Sequence, residues 1–207
     1  MQPFDFIFAI VILIMSVVAH EVSHGYAANS LGDPTAKMAG RLTLNPIRHL
    51  DLVGSFIVPV ATFFTGGFIL GWAKPVPYNP YNLSGGKWGP AWVAFAGPLA
   101  NIVIALVFGL AIRFGFPAGF FPEATIAVMS LVVFINILLA IFNLIPIPPL
   151  DGSKILFSAL PYRFQHIQAS LERYWIFVIL FFVLFLWQYM VPIVFWVFNL
   201  ITGVSPF

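Results

Sequence analysis

His20-Glu21-Val22-Ser23-His24 is the stretch of this chain best equipped for chemistry. Two histidines four apart on a helix lie about 40° apart around its axis, so both imidazoles face one point. Glu21 falls on the flank of that face, beside any ion held there and free to carry its own proton. Residue types in this H-E-x-x-H order are those of two zinc ligands and a carboxylate general base. The competing reading is a pair of helix-surface histidines with a chance glutamate. The chain has only four histidines and seven acids, yet three of them crowd into five residues at the end of an apolar run, 4–19. Ionisable groups at membrane depth are costly and mark function.

A catalytic zinc takes three protein ligands and keeps one position open, so the histidine pair needs a third. The other acids are Asp5, Asp33, Asp51, Glu123, Asp151 and Glu172. Asp151 is the best candidate. It follows an apolar run and three prolines, Pro146, Pro148 and Pro149, where the backbone cannot be helical. Non-helical backbone at membrane depth is tolerated only where protein buries it or it lines a cavity. The alternative is that Asp151-Gly152 turns the chain at the interface and caps the next helix.

These residues need elements to hold them, and composition says of what kind. Of 207 residues, 61% are hydrophobic and 8% charged, against about 25% charged in ordinary globular chains. Mean hydropathy is +1.00. This is the composition of an integral membrane protein. Net charge is +2 and the basic residues are scattered around apolar runs, which excludes a nucleic-acid surface. The absence of cysteine excludes disulfides and thiolate metal sites. The N-terminal run lacks a basic leader and a small-residue cleavage site, so it reads as a retained helix.

Segments 4–28, 88–114, 123–145 and 174–201 are each long and apolar enough to span, the last kinked at Pro192. Segment 52–70 is broken by Pro59 and Gly66-Gly67 and reads as re-entrant or as a hairpin. Gly71-Trp72-Ala73-Lys74-Pro75-Val76-Pro77-Tyr78-Asn79-Pro80 cannot be helical and reads as extended. The expected fold is thus an all-α multi-pass bundle of about four full spans, a re-entrant or hairpin segment, and a short β-like stretch near the active site. We expect one domain, 1–207, with a catalytic core at about 4–160 and the span 174–201 appended. No internal repeat is visible.

Pairing His24 with Asp151 sets the topology. Both follow their spans, so helices 4–28 and 123–145 run the same way and 88–114 runs oppositely. Lys37, Arg41, Arg48, Lys74, Lys87, Lys154, Arg163 and Arg173 then fall on the metal side, and only Arg113 on the other. Positive charge marks the cytoplasmic side. The active site is expected to open toward the cytoplasm of a cell membrane, with both termini outside.

The chain resembles the site-2 protease family of intramembrane zinc metalloproteases. The resemblance rests on His20 to His24, on Gly97-Pro98-Leu99-Ala100-Asn101, and on Asn143 to Gly152 with its Leu-Asp-Gly. It covers most of 1–160 and is nearest a short subgroup without a PDZ or other regulatory domain. It implies one zinc per chain on His20, His24 and Asp151, with Glu21 as base and a transmembrane protein as substrate. It further implies that Asn101 and Asn143 hold the substrate backbone or the tetrahedral oxygen; polar glue between helices is the other reading for both. His49 is expected at the surface or in a cap, and His166 in a solvated loop. An extended substrate is expected to add as a strand to the proline-interrupted stretches, with Val76 offering its amide.

Two rivals have distinct signatures. A divalent-metal transporter would also put His and Asp in spans, but such carriers show repeated halves and need no Glu21. A non-catalytic membrane scaffold would not need the complete ligand and base set.

Overall fold

The computed structural model describes residues 3–51 and 74–204. Four apolar helical stretches in it are long enough to cross a membrane: Phe8–Ser30, Gly86–Gly115, Glu123–Asn143 and Trp175–Thr202, of 23, 30, 21 and 28 residues. About 20 residues suffice for a hydrocarbon core of about 30 Å. The chain is a multi-pass membrane protein.

Helix α1 is Pro3–Ser30. It ends where Gly32 takes a left-handed φ of 103°, a conformation only glycine adopts cheaply. The short α2, Thr35–Met38, follows. Helix α3, Gly89–Gly115, carries Pro98 in its interior. Helix α4, Glu123–Asn143, stops short of the expected 145, because the residue before Pro146 is pushed out of the helical region. Two shorter helices come next, α5 at Asp151–Ala159 and α6 at Gln165–Arg173. The last span is α7, Trp175–Phe181, and α8, Trp187–Thr202, joined by a π turn at Phe182–Leu186. The interruption thus lies ahead of Pro192.

Side-chain contacts give the directions. Ser16 and His20 of α1 reach Asn101 of α3, and the later His24 reaches the earlier Val93. Helices α1 and α3 are therefore antiparallel. Ser16 also meets Asn136 of α4, and α4 leads on to Asp151 beside His20 and His24, so α1 and α4 run together. The last span opposes α4: Trp187 faces Phe142, and Phe195 faces Phe134. These directions agree with those expected from the motif pairing.

One half of the bundle is apolar. Ala105, Ile112, Met129, Val133, Ile137, Val194 and Phe198 form its buried core. The other half holds the motif residues and a group of buried polar side chains, Ser16, His20, His24, Asn101, Asn136 and Asp151, beside a smaller apolar cluster of Ala28, Leu83 and Val93.

No strand occurs among the described residues, so the β-like stretch takes a different form. Residues 74–79 have no regular secondary structure, with Asn79 in the extended region at φ −105° and ψ 109°. Their polar groups are tied to neighbours, with Lys74 N donating to His49 O at 2.8 Å and Arg41 Nη2 donating to Lys74 O at 2.7 Å. The expected re-entrant or hairpin segment 52–70 lies outside the described residues.

Candidate metal centre

Helix α1 brings His20 and His24 to one face, as their spacing requires, with ring centroids 4.6 Å apart. The break after α4 delivers Asp151 to the same point as the first residue of α5. Asp151 Oδ2 lies 3.1 Å from His20 Nε2 and 3.1 Å from His24 Nε2. All three residues are buried. Glycines make the approach possible. A Cβ on Gly97 of α3 would stand 2.5 Å from His24 Nε2 and 2.6 Å from His20 Nε2. A Cβ on Gly152 would run into the carbonyl oxygens of Leu144 and Ile145.

The outer nitrogens settle what faces inward. His24 Nδ1 lies 2.7 Å from Val93 O, which can only accept, so Nδ1 carries a hydrogen and in the neutral, metal-binding ring Nε2 presents its lone pair. His20 Nδ1 lies 2.6 Å from Asn101 Oδ1, and the same tautomer follows. Asp151 also meets the Lys154 ammonium, which favours its charged form. Lys154 Nζ is 3.6 Å from the other oxygen, Oδ1.

Three electron-pair donors therefore converge with no proton to share among them. Such atoms repel unless a cation lies between them. A tetrahedral ion with bonds of about 2.0–2.1 Å separates its ligand atoms by about 3.3 Å, close to the spacing seen. Two imidazole nitrogens and one carboxylate oxygen are ligands that suit zinc. The set fits that metal.

Glu21 flanks the group, with a ligand atom within 4.8 Å of one on each histidine. Its Oε2 accepts the amide of Val76 at 2.9 Å. The amide expected to be open to substrate is thus taken by Glu21, because the 74–79 segment lies against α1. Asn101 is fully buried, and Asn143 is half-buried at the end of α4 with its amide donating to Leu139 O. No bond among the described residues joins Asn143 to His20, His24 or Asp151.

Other residues enter that sequence reading passed over. Asn136 is fully buried in α4 and bonds Asn101 and Ser16; a polar residue in the middle of an apolar span was its signal. Asp33 is fully buried and accepts from Thr35, from the Asn79 amide and from Asn82 Nδ2. Burial raises its carboxyl, yet these donors hold it below the ordinary range. It ties the end of α1 to the loop that carries residues 74–79. His49, expected at the surface or in a cap, is buried rather than at the surface, with Nε2 donating to Thr43 O and so tying the turn Pro46–His49 to its own loop.

The chain is similar to known proteins. A model of peptidase family M50 matches residues 118–186. The chain is 34% identical over 186 residues to "Putative zinc metalloprotease YwhC" of Bacillus subtilis, covering 84% of this chain and 80% of that one. It is 31% identical over 206 residues to "Putative zinc metalloprotease Rip2" of Mycolicibacterium smegmatis, covering 98% and 76%. It is 31% identical over 159 residues to "Putative zinc metalloprotease MJ0611" of Methanocaldococcus jannaschii, covering 72% of each. No solved structure matches the chain. With an M50 model on the second half and relatives of this extent along nearly all of the chain, the protein belongs to peptidase family M50, the site-2 proteases, and is a membrane zinc metalloprotease.

Proposed function

We propose that this chain is an intramembrane endopeptidase that cuts transmembrane protein substrates near the cytoplasmic side. His20, His24 and Asp151 hold its zinc, Glu21 is its general base, and 1–207 acts as one peptidase domain with its catalytic core at about 4–160. The observation that carries this reading is the meeting of three acceptor atoms, 3.1 Å apart about Asp151, beside a carboxylate and between membrane helices.

Zinc held there supplies Lewis acidity, polarising the scissile carbonyl and making a water molecule acidic near neutral pH. The chain's own residues do the rest. Oε2 of Glu21 is engaged by the Val76 amide, which leaves Oε1 to take a proton from water and later deliver it to the leaving amine. That engagement also aims the carboxylate. A helical substrate hides its peptide bonds and has its carbonyls paired, so the substrate must become extended before Oε1 can serve it. Asn143 meets the substrate backbone, a role supported by its position at the end of α4, ahead of the break that carries Asp151.

Charge supports the assignment of the side of the membrane. Eight basic residues lie on the site's side of the bundle and Arg113 alone on the other, so the site faces the cytoplasm. Cysteines at Thr35 and Ser170 should be shielded from an impermeant reagent in intact cells, and one at Ala118 labelled. The reverse pattern would invert the orientation.

The decisive experiment is incubation of the purified protein with single-span substrates, reading products by mass. Glu21→Gln should retain zinc and lose about 10²–10⁴-fold in rate. Undiminished cleavage by that variant would remove Glu21 from the base role.

A further inference from the structure

Two buried asparagines on different helices form a directional chain that ends on His20. Its far end is anchored on a backbone carbonyl, Val132 O, which can only accept. Asn136 Nδ2 lies 2.9 Å from Val132 O and 2.9 Å from Ser16 Oγ. Both of its hydrogens are thereby used, and its oxygen turns to Asn101. Asn101 Nδ2 lies 2.8 Å from that oxygen and 3.3 Å from the Ser16 carbonyl. Two acceptors thus hold the Asn101 nitrogen on the side away from His20. Its oxygen is left facing His20 Nδ1 at 2.6 Å.

An amide's nitrogen and oxygen are assigned from their partners, and here the partners allow one assignment. Asn101 Oδ1 can only accept, so His20 Nδ1 must donate. Asn101 and Asn136 are both fully buried, so water cannot replace either partner.

We propose that Asn101 is a positioning residue for the metal centre. It holds His20 in the tautomer whose Nε2 lone pair faces Asp151 and His24, while Asn136 and Ser16 set the direction of the Asn101 amide. A free imidazole populates both tautomers, and only one of them can bind a metal through Nε2. Asn101 has no hydrogen left to donate to a substrate carbonyl or a tetrahedral oxygen, because its nitrogen is shared between Asn136 and Ser16, and the side chain is fully buried with its oxygen on His20. This replaces the substrate contact implied by family resemblance, and it rests on His20 being a zinc ligand.

The test uses the full chain in detergent, with zinc affinity measured against a competing chelator. Histidine tautomers are read by ¹⁵N NMR of the zinc-free protein, with His20 assigned through His20→Ala. Wild type should show His20 as a single tautomer protonated on Nδ1. Asn101→Leu keeps the side chain's size and removes the acceptor. It should give a tautomer mixture and weaken zinc about 10–100-fold, with KM for substrate unchanged once zinc is saturating. Asn136→Leu leaves Asn101 in place and frees its amide to turn over. It should also mix the tautomers and weaken zinc by about 10-fold or less, and it decides the matter if Asn101→Leu does not fold. Wild-type zinc affinity and a single tautomer in the folded variants would overturn the proposal. So would a raised KM as the sole change in Asn101→Leu. Full zinc affinity in His20→Ala would overturn the ligand reading and this proposal with it. Loss in His20→Ala beside full affinity in Asn101→Leu and Asn136→Leu would overturn this proposal alone.

Discussion

The two ends of helix α3 are built for different purposes. Toward its start, Gly97 and Asn101 face His20 and His24, and the helix interface is made of hydrogen bonds. Toward its end, Gly109 faces Ile201 and Ile112 lies fully buried in the apolar core with Val133 and Phe198. Both ends use glycine for close approach, yet what fills the space differs. At one end it is the imidazole pair, at the other an aliphatic side chain. In lipid, helices gain little from apolar burial as such, so close packing must hold the second end together. The first end holds polar groups that cost free energy unless each is paired. Damage at the first end should therefore be read in metal and rate, and damage at the second in stability alone.

The largest effect separating the two ends is ligand loss. Asp151→Ala, assayed by metal analysis, should lose most of the single zinc that wild type carries. A variant with full zinc and full activity would remove Asp151 from the ligand set. Next comes Val76→Pro, which deletes the amide on Glu21. A hydrogen bond to a charged group contributes about 1.5–3 kcal/mol. The expected fall in kcat is therefore about 10–100-fold with zinc retained, and Val76→Ala, which keeps the amide, should stay active. A change in KM alone would instead favour an amide that serves substrate.

The glycine pair sharpens the comparison directly. Overpacking costs about 1–3 kcal/mol. In Gly97→Ala that cost falls on the two imidazoles, and zinc affinity should drop about 5–150-fold. In Gly109→Ala it falls on Ile201, so zinc should be unchanged and the melting temperature lower. Equal zinc affinity in the two variants would erase the distinction between the ends. The smallest effect is Ile112→Val, expected to cost about 0.5–1.5 kcal/mol of stability, measured by thermal denaturation, with rate and metal unaffected.

Much of this was legible in the chain. The shared face of His20 and His24 follows from helical spacing, and the proline break marks Asp151 as an acid with a reason for its position. Apolar length identifies the four spans, and the parallel run of α1 and α4 follows once Asp151 is matched to His24. The partners of Asn101 were not legible, because an asparagine at a helix interface reads equally as glue or as substrate contact. Val76 was read as an amide open to substrate because its flanking prolines exclude helix, which says nothing about what an extended amide will meet.

The sequence by itself put His20 and His24 on one helix face with Glu21 on its flank and singled out Asp151, since helix geometry acts within a few residues and metal-ligand types are few. Tertiary structure alone decided how those residues are held. Ser16, Asn101 and Asn136 lie on three helices, and Val76 is 55 residues from Glu21. Whether such groups meet depends on how the helices dock, and docking is set by where glycine allows backbones to close in. The direction of the asparagine chain is likewise a tertiary fact. It follows from carbonyls that can only accept, buried where water cannot substitute for a partner.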